Sequence, residues 1–417
     1  MIFIVAPEPA DWLGATVEAI AACGPVSVFA PWAIGMAPLD ALPERIRRAW
    51  ERRQMASEVG ALVRAGWLGA DLALRAWARS RTDRLMTARF LRRQAADALA
   101  ARAVTEVFGA PSAPSRGPPR YAPPVNAPHA PPPNAPHAAP NTPHAPPPHA
   151  PHAPPPNAPR SAPHAVIAPS LAARSVFAAA PLGCLKILVE DLPSFRQLHA
   201  DLDLAALAHP DCRFLRRYRA PARLVARQEA ERVLADALLV RGRFAAEQRS
   251  DTGKPVLPVP LPRLELRRAP HAPGARRRVL LAGLATARNG SMEALEAFGD
   301  WELLVRPGEG MEPPDLLSRP NVRAARPTLD GVDLVIAPTW CESHPEELRR
   351  AAAAGVPAIA THRAAGWLDL TEIPPGDAAA LRAAAQRALP PEPPSDDPSS
   401  ALQSLIRGEA TRRMLDP

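Results

Sequence analysis

Outside one proline-rich stretch, the hydrophobic residues of this chain occur in short continuous runs separated by segments with helical periodicity. Continuous apolar runs, unlike alternating ones, are typical of parallel strands that are buried on both faces of a sheet. The runs predict strands at Ile2–Ala6, Val26–Ala30, Ala165–Pro169, Lys186–Glu190, Ala237–Val240, Val279–Gly283, Trp301–Val305, Asp333–Pro338 and Ala358–Thr361. Strands that alternate with helices in this way predict doubly wound α/β domains.

The segments between the runs repeat their apolar residues with the period of an α-helix. They predict helices at Asp11–Ala22, Leu171–Ala180, Arg223–Asp236, Arg243–Arg249, Ser291–Phe298, Glu346–Ala354 and Asp377–Leu389, and a long helical region from Leu42 to Val107. Ser170 is in position to cap Leu171–Ala180. Ser343 and Glu346 have the spacing of a capping box at the start of the helix Glu346–Ala354.

The main compositional break is the proline-rich segment from Pro111 to His164, which holds 22 of the 55 prolines and six of the 11 histidines. It contains imperfect octads such as NAPHAPPP, which begins at Asn126. Proline removes the amide donor and fixes φ, so a polyproline II rod is expected here in place of helix or sheet. We interpret the segment as a low-complexity spacer insert, with docking of a partner or capture of a metal by the histidines as alternatives.

Composition excludes several classes of protein. A hydrophobic content of 47% is sufficient for a core, and the longest uncharged apolar run is interrupted by prolines, so no membrane-spanning helix is expected. The four cysteines are scattered without a C-x-x-C pair, which argues against a disulfide framework or a zinc site. The first residues lack the basic region of a signal peptide. A reducing, cytoplasmic environment is therefore expected.

The net charge of +8 is carried by arginine, since only two of the 50 basic residues are lysines. Between Glu44 and Arg102 there are 14 arginines and six acidic residues, an excess equal to the whole net charge. Solvated helix faces are the simplest interpretation of residues 44–102, and peripheral contact with the inner face of a membrane is the alternative. The segment lacks the interleaved aromatic residues of a strand-stacking surface, so nucleic acid is not expected as a partner.

The segment Val332–Thr361 carries the clearest candidate chemistry. Its buried strand ends at Pro338, and a loop places Glu342 at the carboxyl end of that strand. The helix that follows offers amide groups and the positive end of its dipole, which suit a phosphate. Gly355 is expected to end this helix in a left-handed conformation before the next strand. From these residues alone, a purely structural strand–loop–helix unit remains the alternative.

The order of these features resembles the donor-binding half of GT-B glycosyltransferases of the group-1, or family-4, type. That family has a strand ending in Pro-Ser, then Glu-Gly-Phe, then a helix with a second Glu eight residues after the first, and then A-x-G-V-P-V-I-A-T. Glu342, Gly355 and Thr361 fall at the matching spacing. Arg350 occupies the position of the second Glu, which contacts the nucleotide ribose in the family. An earlier block ending in Phe-x-x-Glu is also similar, with Gly242 in place of the family's Ser.

The resemblance implies a set of donor-binding residues. The loop after the strand Val279–Gly283 is similar to the family's G-R-L-x-x-x-K-G, whose Arg and Lys neutralise the donor diphosphate. Here Asn289 stands at the lysine position and Arg288 is the cation of the loop. The donor-binding residues implied are Gly283, Arg288, Asn289, Ser343, His344, Glu346 and Arg350.

Three carboxylates are candidates for catalysis. Glu342 matches the acid that lies at the donor sugar in the family. Glu190 and Asp191 occupy the end of a strand that often carries His-Asp, where either is a candidate base or acceptor contact. A D-x-D at Asp201 and Asp203 lies in a helical pattern and not at a strand end, so no metal site and no cofactor beyond the nucleotide-sugar substrate is expected.

The fold class expected is α/β of the GT-B type, with two Rossmann-like, doubly wound parallel-sheet domains facing a cleft. The domains expected are an N-terminal acceptor domain (1–110 and 165–265), the insert (111–164), a linker (266–278), a C-terminal donor-binding domain (279–390) and a tail (391–417). The function expected is metal-independent, retaining transfer of a hexosyl group from a nucleotide-sugar to a glycan, lipid-linked or small acceptor. A non-catalytic glycosyltransferase-like scaffold, or another GT-B enzyme such as a sugar-nucleotide epimerase, is the alternative.

Overall fold

The structure is a computed structural model that describes residues 1–7, 11–30, 63–65, 85–108, 164–266, 276–308, 310–324, 328–392 and 397–415. Almost all of the proline-rich segment, and most of the Arg-rich residues 44–102, lie outside these ranges. The predictions of a spacer and of membrane contact through residues 44–102 fall mainly there. Met1–Pro111 and Pro163–Pro417 belong to one compact unit.

A seven-stranded parallel sheet and its helices form what we call the first lobe. The strands are β1 (Ile2–Val5), β2 (Val26–Ala30), β3 (Val63–Ala65), β4 (Ala165–Pro169), β5 (Leu185–Glu190), β6 (Ala237–Val240) and β7 (Val256–Pro258). They lie in the order β3-β2-β1-β4-β5-β6-β7. Every residue of β1 and β4 is buried, as expected for central strands covered on both faces.

A six-stranded parallel sheet and its helices form the second lobe. The strands are β8 (Arg278–Leu284), β9 (Glu302–Arg306), β10 (Val322–Ala324), β11 (Leu334–Ala337), β12 (Ala358–Thr361) and β13 (Thr371–Ile373). Their order, β10-β9-β8-β11-β12-β13, is the 3-2-1-4-5-6 order of nucleotide-binding sheets, and the first six strands of the first lobe follow the same order. The predicted fold class, two Rossmann-like parallel-sheet domains in the GT-B arrangement, is confirmed.

Helices cover both faces of each sheet in the described residues. They are α1 (Asp11–Ala21), α2 (Leu85–Phe108), α3 (Arg174–Ala179), α4 (Phe195–Ala208), α5 (Ala222–Leu234), α6 (Arg243–Glu247), α7 (Ser291–Ala297), α8 (Glu346–Ala354), α9 (Ala378–Ala385) and α10 (Pro398–Leu415). Trp12 of α1 packs on one face of the first sheet, and Phe177 of α3 packs on the other. Each sheet is therefore the centre of a three-layer core.

The first local prediction that the structure corrects is the helical region from Leu42 to Val107, for which Gly60, Gly66 and Gly69 were expected as breaks between helices and no strand was expected. Residues Val63–Ala65 form the parallel edge strand β3, whose partners are Val28–Ala30 of β2. Helix occurs at Leu85–Phe108, in the later part of the region. The segment is rich in Ala and Arg, which favour helix, so pairing with a remote strand outweighs the local preference at β3.

Both predicted side-chain caps are also wrong. Helix α3 begins at Arg174 with Ala173 as its N-cap, and Leu171 has a φ of 69°, so the residues after Ser170 are not helical. Helix α8 has Pro345 at its N-cap and no side-chain cap. Ser343 lies outside that helix, where its amide donates to the carbonyl of Arg363 at 3.2 Å.

The predicted C-terminal tail contains the helix α10. Leu402 and Ile406, four residues apart, share one face of the helix and are buried against the first lobe. The side chain of Gln403 donates to the carbonyl of Ala19 in α1 at 2.7 Å. The end of the described chain therefore packs on the first lobe, although it follows the second lobe in sequence.

Candidate active site

Strands β8 and β11 are neighbours at the point where the strand order of the second sheet reverses. In open parallel sheets, ligands bind in the crevice at such a point, beyond the carboxyl ends of the strands. Arg288 follows β8 and Glu342 follows β11. A guanidinium nitrogen of Arg288 lies 3.5 Å from the backbone oxygen of Glu342, so the fold brings together two predicted site residues that are 54 positions apart.

The carboxylate of Glu342 is 2% exposed. One of its oxygens, Oε1, lies 3.1 Å from Nε2 of His344. Its other oxygen, Oε2, is buried and has no hydrogen-bond partner among the described residues, and the same is true of Nδ1 of His344. A buried polar atom without a partner is costly, so this pair offers an acceptor oxygen and a ring nitrogen that a polar ligand would satisfy.

The guanidinium of Arg288 lies over the ring of Tyr218, a first-lobe residue, at 5.0 Å from the ring centroid. Its Nε is buried without a hydrogen-bond partner in the described part of the chain. Cys341 is close to this cation, but burial raises the pKa of its thiol to about 11 in spite of the opposing charge of Arg288. The thiol is therefore protonated near neutral pH, which excludes Cys341 as an activated nucleophile.

The position of the family's lysine is used differently in this chain. The side-chain amide of Asn289 donates to the carbonyl of Leu284 at 2.8 Å, so it closes the loop that follows β8. Gly283, at a φ of 79°, lies beneath it, and a Cβ there would be 3.3 Å from the Asn289 amide nitrogen. Arg288 therefore carries the positive charge of this loop.

The first turn of α8 presents two acids with opposite environments. Glu346, predicted to bind the donor, is exposed and pairs with Arg349 at 2.9 Å. Glu347, which the sequence did not single out, is buried and pairs with Arg306 at the end of β9, at 3.2 Å. Arg350 is half-buried on the same helix. The buried acid of this turn is therefore Glu347, and Glu346, which the sequence predicted, is the exposed one.

Glu190 and Asp191 are occupied by ion pairs inside the first lobe. Both oxygens of Glu190 are buried, one bonded to Arg232 and the other to Arg249. Both oxygens of Asp191 accept from Arg93, at 2.9 and 2.6 Å. Because these partners use both oxygens of each carboxylate, neither residue has the form of a general base or acceptor contact, and we do not retain either in the catalytic set.

Charged residues that no prediction assigned to the site join the two lobes beside Glu342. Arg363, just after β12, donates to Asp201 of α4 through two nitrogens, at 3.0 and 2.9 Å. Asp201 is fully buried, and the guanidinium also lies over the ring of Phe244. Asp201 belongs to the D-x-D pattern of the sequence. Its ion-pair partner, Arg363, is 162 residues away, so the sequence pattern does not predict the pair.

Gly242 lies at the same contact between the two lobes, where there is no room for a side chain. A Cβ there would lie 2.9 Å from Cα of Gly366 and 3.2 Å from Cε1 of His344, both in the second lobe. The family's serine would therefore collide with the backbone of the second lobe. The substitution of Gly for Ser matches this close approach, which also holds the His344 ring against the first lobe.

The backbone amides after the first-lobe strand β4 could bind an anion, as those after β11 could, but carboxylates of the protein itself already occupy them. After β4, the amides of Leu171, Ala173 and Arg174 donate to the buried carboxylate of Glu231, at 2.6 to 3.2 Å. Asp97 of α2 accepts from the amides of Ser175 and Val176 in the same turn. Since these amides already bind internal carboxylates, the second lobe is the better candidate for an external anion.

Two histidines make further contacts between the lobes. Nε2 of His209 lies 2.6 Å from a carboxylate oxygen of Glu293, and this hydrogen bond raises the pKa of His209 against the effect of burial. His362 lies between Glu247 of α6 and Glu372 of β13, at 2.8 and 3.0 Å. Burial lowers the pKa of His362, but its hydrogen bonds and the charges of the two glutamates raise it overall.

The free energy of unfolding is expected to fall as the pH rises through the raised pKa values of His209 and His362. A histidine whose pKa is higher in the folded state contributes its full stabilisation below about pH 6.5, the unfolded value, and loses it above the folded value. Urea unfolding measured between about pH 6 and 8 should show this decline. The double variant His209→Asn, His362→Asn should show a smaller one.

His199 provides a control of opposite sign. Burial and the charge of Arg219 lower its pKa, so it destabilises the folded state at acid pH. His199→Asn should make the decline steeper than in the wild type. An identical slope in the wild type and in the double variant would contradict a stabilising role for the His209 and His362 ion pairs.

Two features, a metal-binding cluster and a membrane-spanning helix, are missing from the described ranges. No group of three or more His, Cys, Asp or Glu side chains there is placed to hold a metal ion. No helix of the described chain has the length and hydrophobicity needed to cross a bilayer.

Two surface pockets, of about 460 and 350 Å³, lie away from Glu342, one beside Arg216 and the other beside Trp301.

No protein-family model matches the sequence, and a search of the curated proteins gives no match. Similar solved structures include a sucrose-phosphate synthase from Thermosynechococcus elongatus, with a TM-score of 0.46, 12% identity, and coverage of 99% of this chain and 94% of that one. The glycotransferase of kitacinnamycin has a TM-score of 0.39 and 15% identity over 100% and 97% of the two chains. The protein TcCGT1, solved in complex with UDP, has a TM-score of 0.40 and 12% identity over 99% and 89%.

Proposed function

We propose that this protein transfers a hexosyl group from a nucleotide-sugar to a glycan, lipid-linked or small-molecule acceptor, in the manner of group-1, or family-4, glycosyltransferases. The observation that carries the proposal is the buried carboxylate of Glu342, whose Oε2 has no partner in the described residues. The backbone oxygen of the same residue lies 3.5 Å from the Arg288 guanidinium, at the switch point of the second sheet. A sugar hydroxyl suits the carboxylate, and a phosphate suits the guanidinium.

In this proposal the second lobe binds the donor and the crevice between the lobes admits the acceptor. The bond between the anomeric carbon and the diphosphate breaks, and the diphosphate leaves with the bonding electrons. The acceptor hydroxyl forms the new bond to the anomeric carbon, and its proton passes to the departing diphosphate oxygen. Negative charge grows on the leaving oxygen, so a fixed cation near it lowers the barrier. Arg288 and the N-terminus of α8 supply that charge without a metal, and we propose retention of the anomeric configuration from the family resemblance.

Two departures from the family support a second candidate, a non-catalytic glycosyltransferase-like scaffold. Asn289 uses its side chain to close its own loop, so no lysine reaches the diphosphate. Arg350 stands where the family has a ribose-binding carboxylate. Contacts between the lobes at Asp201 and Gly242 would hold such a scaffold in one conformation. The two candidates differ in turnover of a nucleotide-sugar, and the enzyme also requires affinity for a nucleoside diphosphate.

Arg288→Ala is expected to weaken the binding of a nucleoside diphosphate by about 1.5–3 kcal/mol, the usual range for a hydrogen bond to a charged group. Isothermal titration calorimetry with a panel of nucleoside diphosphates would measure the change, after a thermal-shift screen identifies the base. A ligand present at about 100 times its Kd should add about 2.7 kcal/mol of stability in that screen. Binding of the nucleoside without phosphates should be nearly unchanged.

Arg323→Ala is the matched control, because Arg323 is an exposed arginine on the outer strand β10. It should bind the diphosphate as the wild type does. Arg350→Ala tests whether Arg350 takes part in diphosphate binding. A loss of diphosphate affinity as large as that of Arg288→Ala would mean that Arg350 replaces the missing lysine. A wild-type protein without diphosphate affinity would favour the scaffold.

A further inference from the structure

A face of the first lobe remote in sequence from the Arg-rich residues 44–102 combines exposed leucines with arginines. It is formed by α4 and the 3₁₀ segment Arg213–Tyr218, and we call it the α4 face. Leu204 and Leu207, one helical turn apart on α4, are 50% and 80% exposed. Exposed apolar side chains that adjoin one another and are rimmed by charged residues are a feature of interaction surfaces.

A pocket of about 460 Å³ opens on the α4 face. Its walls are the apolar side chains of Leu202, Ala206, Leu207 and Leu215, together with the charged side chains of Asp203, Arg216 and Arg219. Arg219 forms an ion pair with Asp203, which keeps its guanidinium at the pocket rim. The pocket thus has an apolar interior and a cationic edge.

The charge around the pocket is strongly positive. Residues 203–223 contain five arginines and two aspartates. Arg213, Arg216 and Arg217 are exposed, and none of the three has a carboxylate partner among the described residues. Arg217 lies over the ring of Phe214, at 5.0 Å from the ring centroid, which holds it near the segment surface. Unpaired guanidinium groups favour phosphate, which they bind through two parallel hydrogen bonds.

Exposed leucines beside unpaired arginines fit one partner better than others. A polyanion such as nucleic acid would pair with the arginines but leave the leucines in water. The surface of an anionic bilayer satisfies both, because apolar side chains enter the boundary between headgroups and acyl chains while arginines bind the headgroup phosphates.

We propose that the α4 face docks on a bilayer that contains anionic phospholipid. The face adjoins the candidate site, since Tyr218 at the end of the 3₁₀ segment lies under Arg288. Docking would bring the crevice to the membrane surface, where a lipid-borne acceptor would be available. The docking itself does not depend on the proposed sugar transfer.

The test is co-sedimentation of the full-length protein with vesicles of phosphatidylcholine alone and with vesicles that also contain phosphatidylglycerol. The protein should bind the anionic vesicles, bind the neutral ones far less, and be released by salt. The triple variant Arg213→Ala, Arg216→Ala, Arg217→Ala should bind about 100-fold more weakly, given about 1 kcal/mol for each arginine near an anionic surface. Leu204→Ser with Leu207→Ser should also weaken binding to the anionic vesicles at low salt, because it removes the apolar part of the contact.

Control variants on the second lobe match these changes in charge and hydrophobicity. Arg319→Ala, Arg323→Ala, Arg387→Ala removes three exposed arginines, and Leu317→Ser with Leu389→Ser removes two exposed leucines. Both should bind vesicles as the wild type does. The proposal is overturned if the wild type ignores anionic vesicles, or if the control variants lose as much binding as the α4-face variants. Glu342→Gln should retain vesicle binding, which separates this proposal from the proposed catalysis.

Discussion

Glu342→Gln is expected to lower the rate of sugar transfer by about 100-fold or more, a loss of the size seen when one positioned catalytic group is removed. Gln has nearly the same shape as Glu, and the carboxylate makes one side-chain hydrogen bond, to His344, so the fold should be retained. The change removes the charge and one of the two acceptor oxygens. The rate would be followed as release of nucleoside diphosphate from the donor that the thermal-shift screen identifies.

Glu296→Gln is the control for this experiment. Glu296 lies on α7 of the same lobe but is exposed, so its variant should keep the wild-type rate. Unfolding curves of both variants should coincide with that of the wild type. Equal turnover by Glu342→Gln and the wild type would remove Glu342 from catalysis and leave the buried oxygen Oε2 without a functional explanation.

Glu190→Ala is expected to lower the free energy of unfolding by about 3–5 kcal/mol, the cost of breaking a buried ion pair by removing one partner. Arg249 is fully buried beside Glu190 and would be left as an uncompensated charge. Arg232, at the edge of the same cluster, would lose its partner as well. Urea unfolding followed by circular dichroism measures this loss.

Glu229→Ala supplies the comparison, because Glu229 lies on α5 with Arg232 but pairs with the exposed Arg196. Removal of a surface pair should cost about 1 kcal/mol or less. The two variants also separate the structural role of Glu190 from the catalytic role that the sequence suggested. A Glu190→Ala protein that is as stable as the wild type but inactive would restore Glu190 as a catalytic candidate.

The sequence by itself determined the features that depend on neighbouring residues. Continuous apolar runs located nine of the strands in the two sheets, because burial on both faces of a parallel sheet leaves few polar positions within a strand. Helix α8 was predicted at Glu346–Ala354, where the structure has it. Gly355, at a φ of 64°, ends that helix as expected, because glycine adopts this conformation without steric cost. Glu342 was placed at a strand end by the same local reasoning.

Only the tertiary structure decided which residues meet across large separations in sequence. Strand β3 forms because it pairs with the edge of β2, and no local pattern of hydrophobic residues predicts that pairing. Ser170 and Ser343 do not cap their helices, because Glu231 binds the amides before α3 and Arg363 binds the amide of Ser343. The partners in these contacts belong to other elements of the fold, so the sequence pattern of one segment cannot predict them.

The same distinction applies to the charged residues of the candidate site. Glu190 followed a buried strand, as a catalytic carboxylate would, yet two arginines from α5 and the segment after α6 neutralise it. Asp201 was seen as one half of a D-x-D pattern, whereas its partner Arg363 belongs to the other lobe. The energy of a buried charge depends on the groups that surround it in three dimensions. A sequence therefore indicates where an acid stands along the chain, and the packed structure decides whether that acid is free to act.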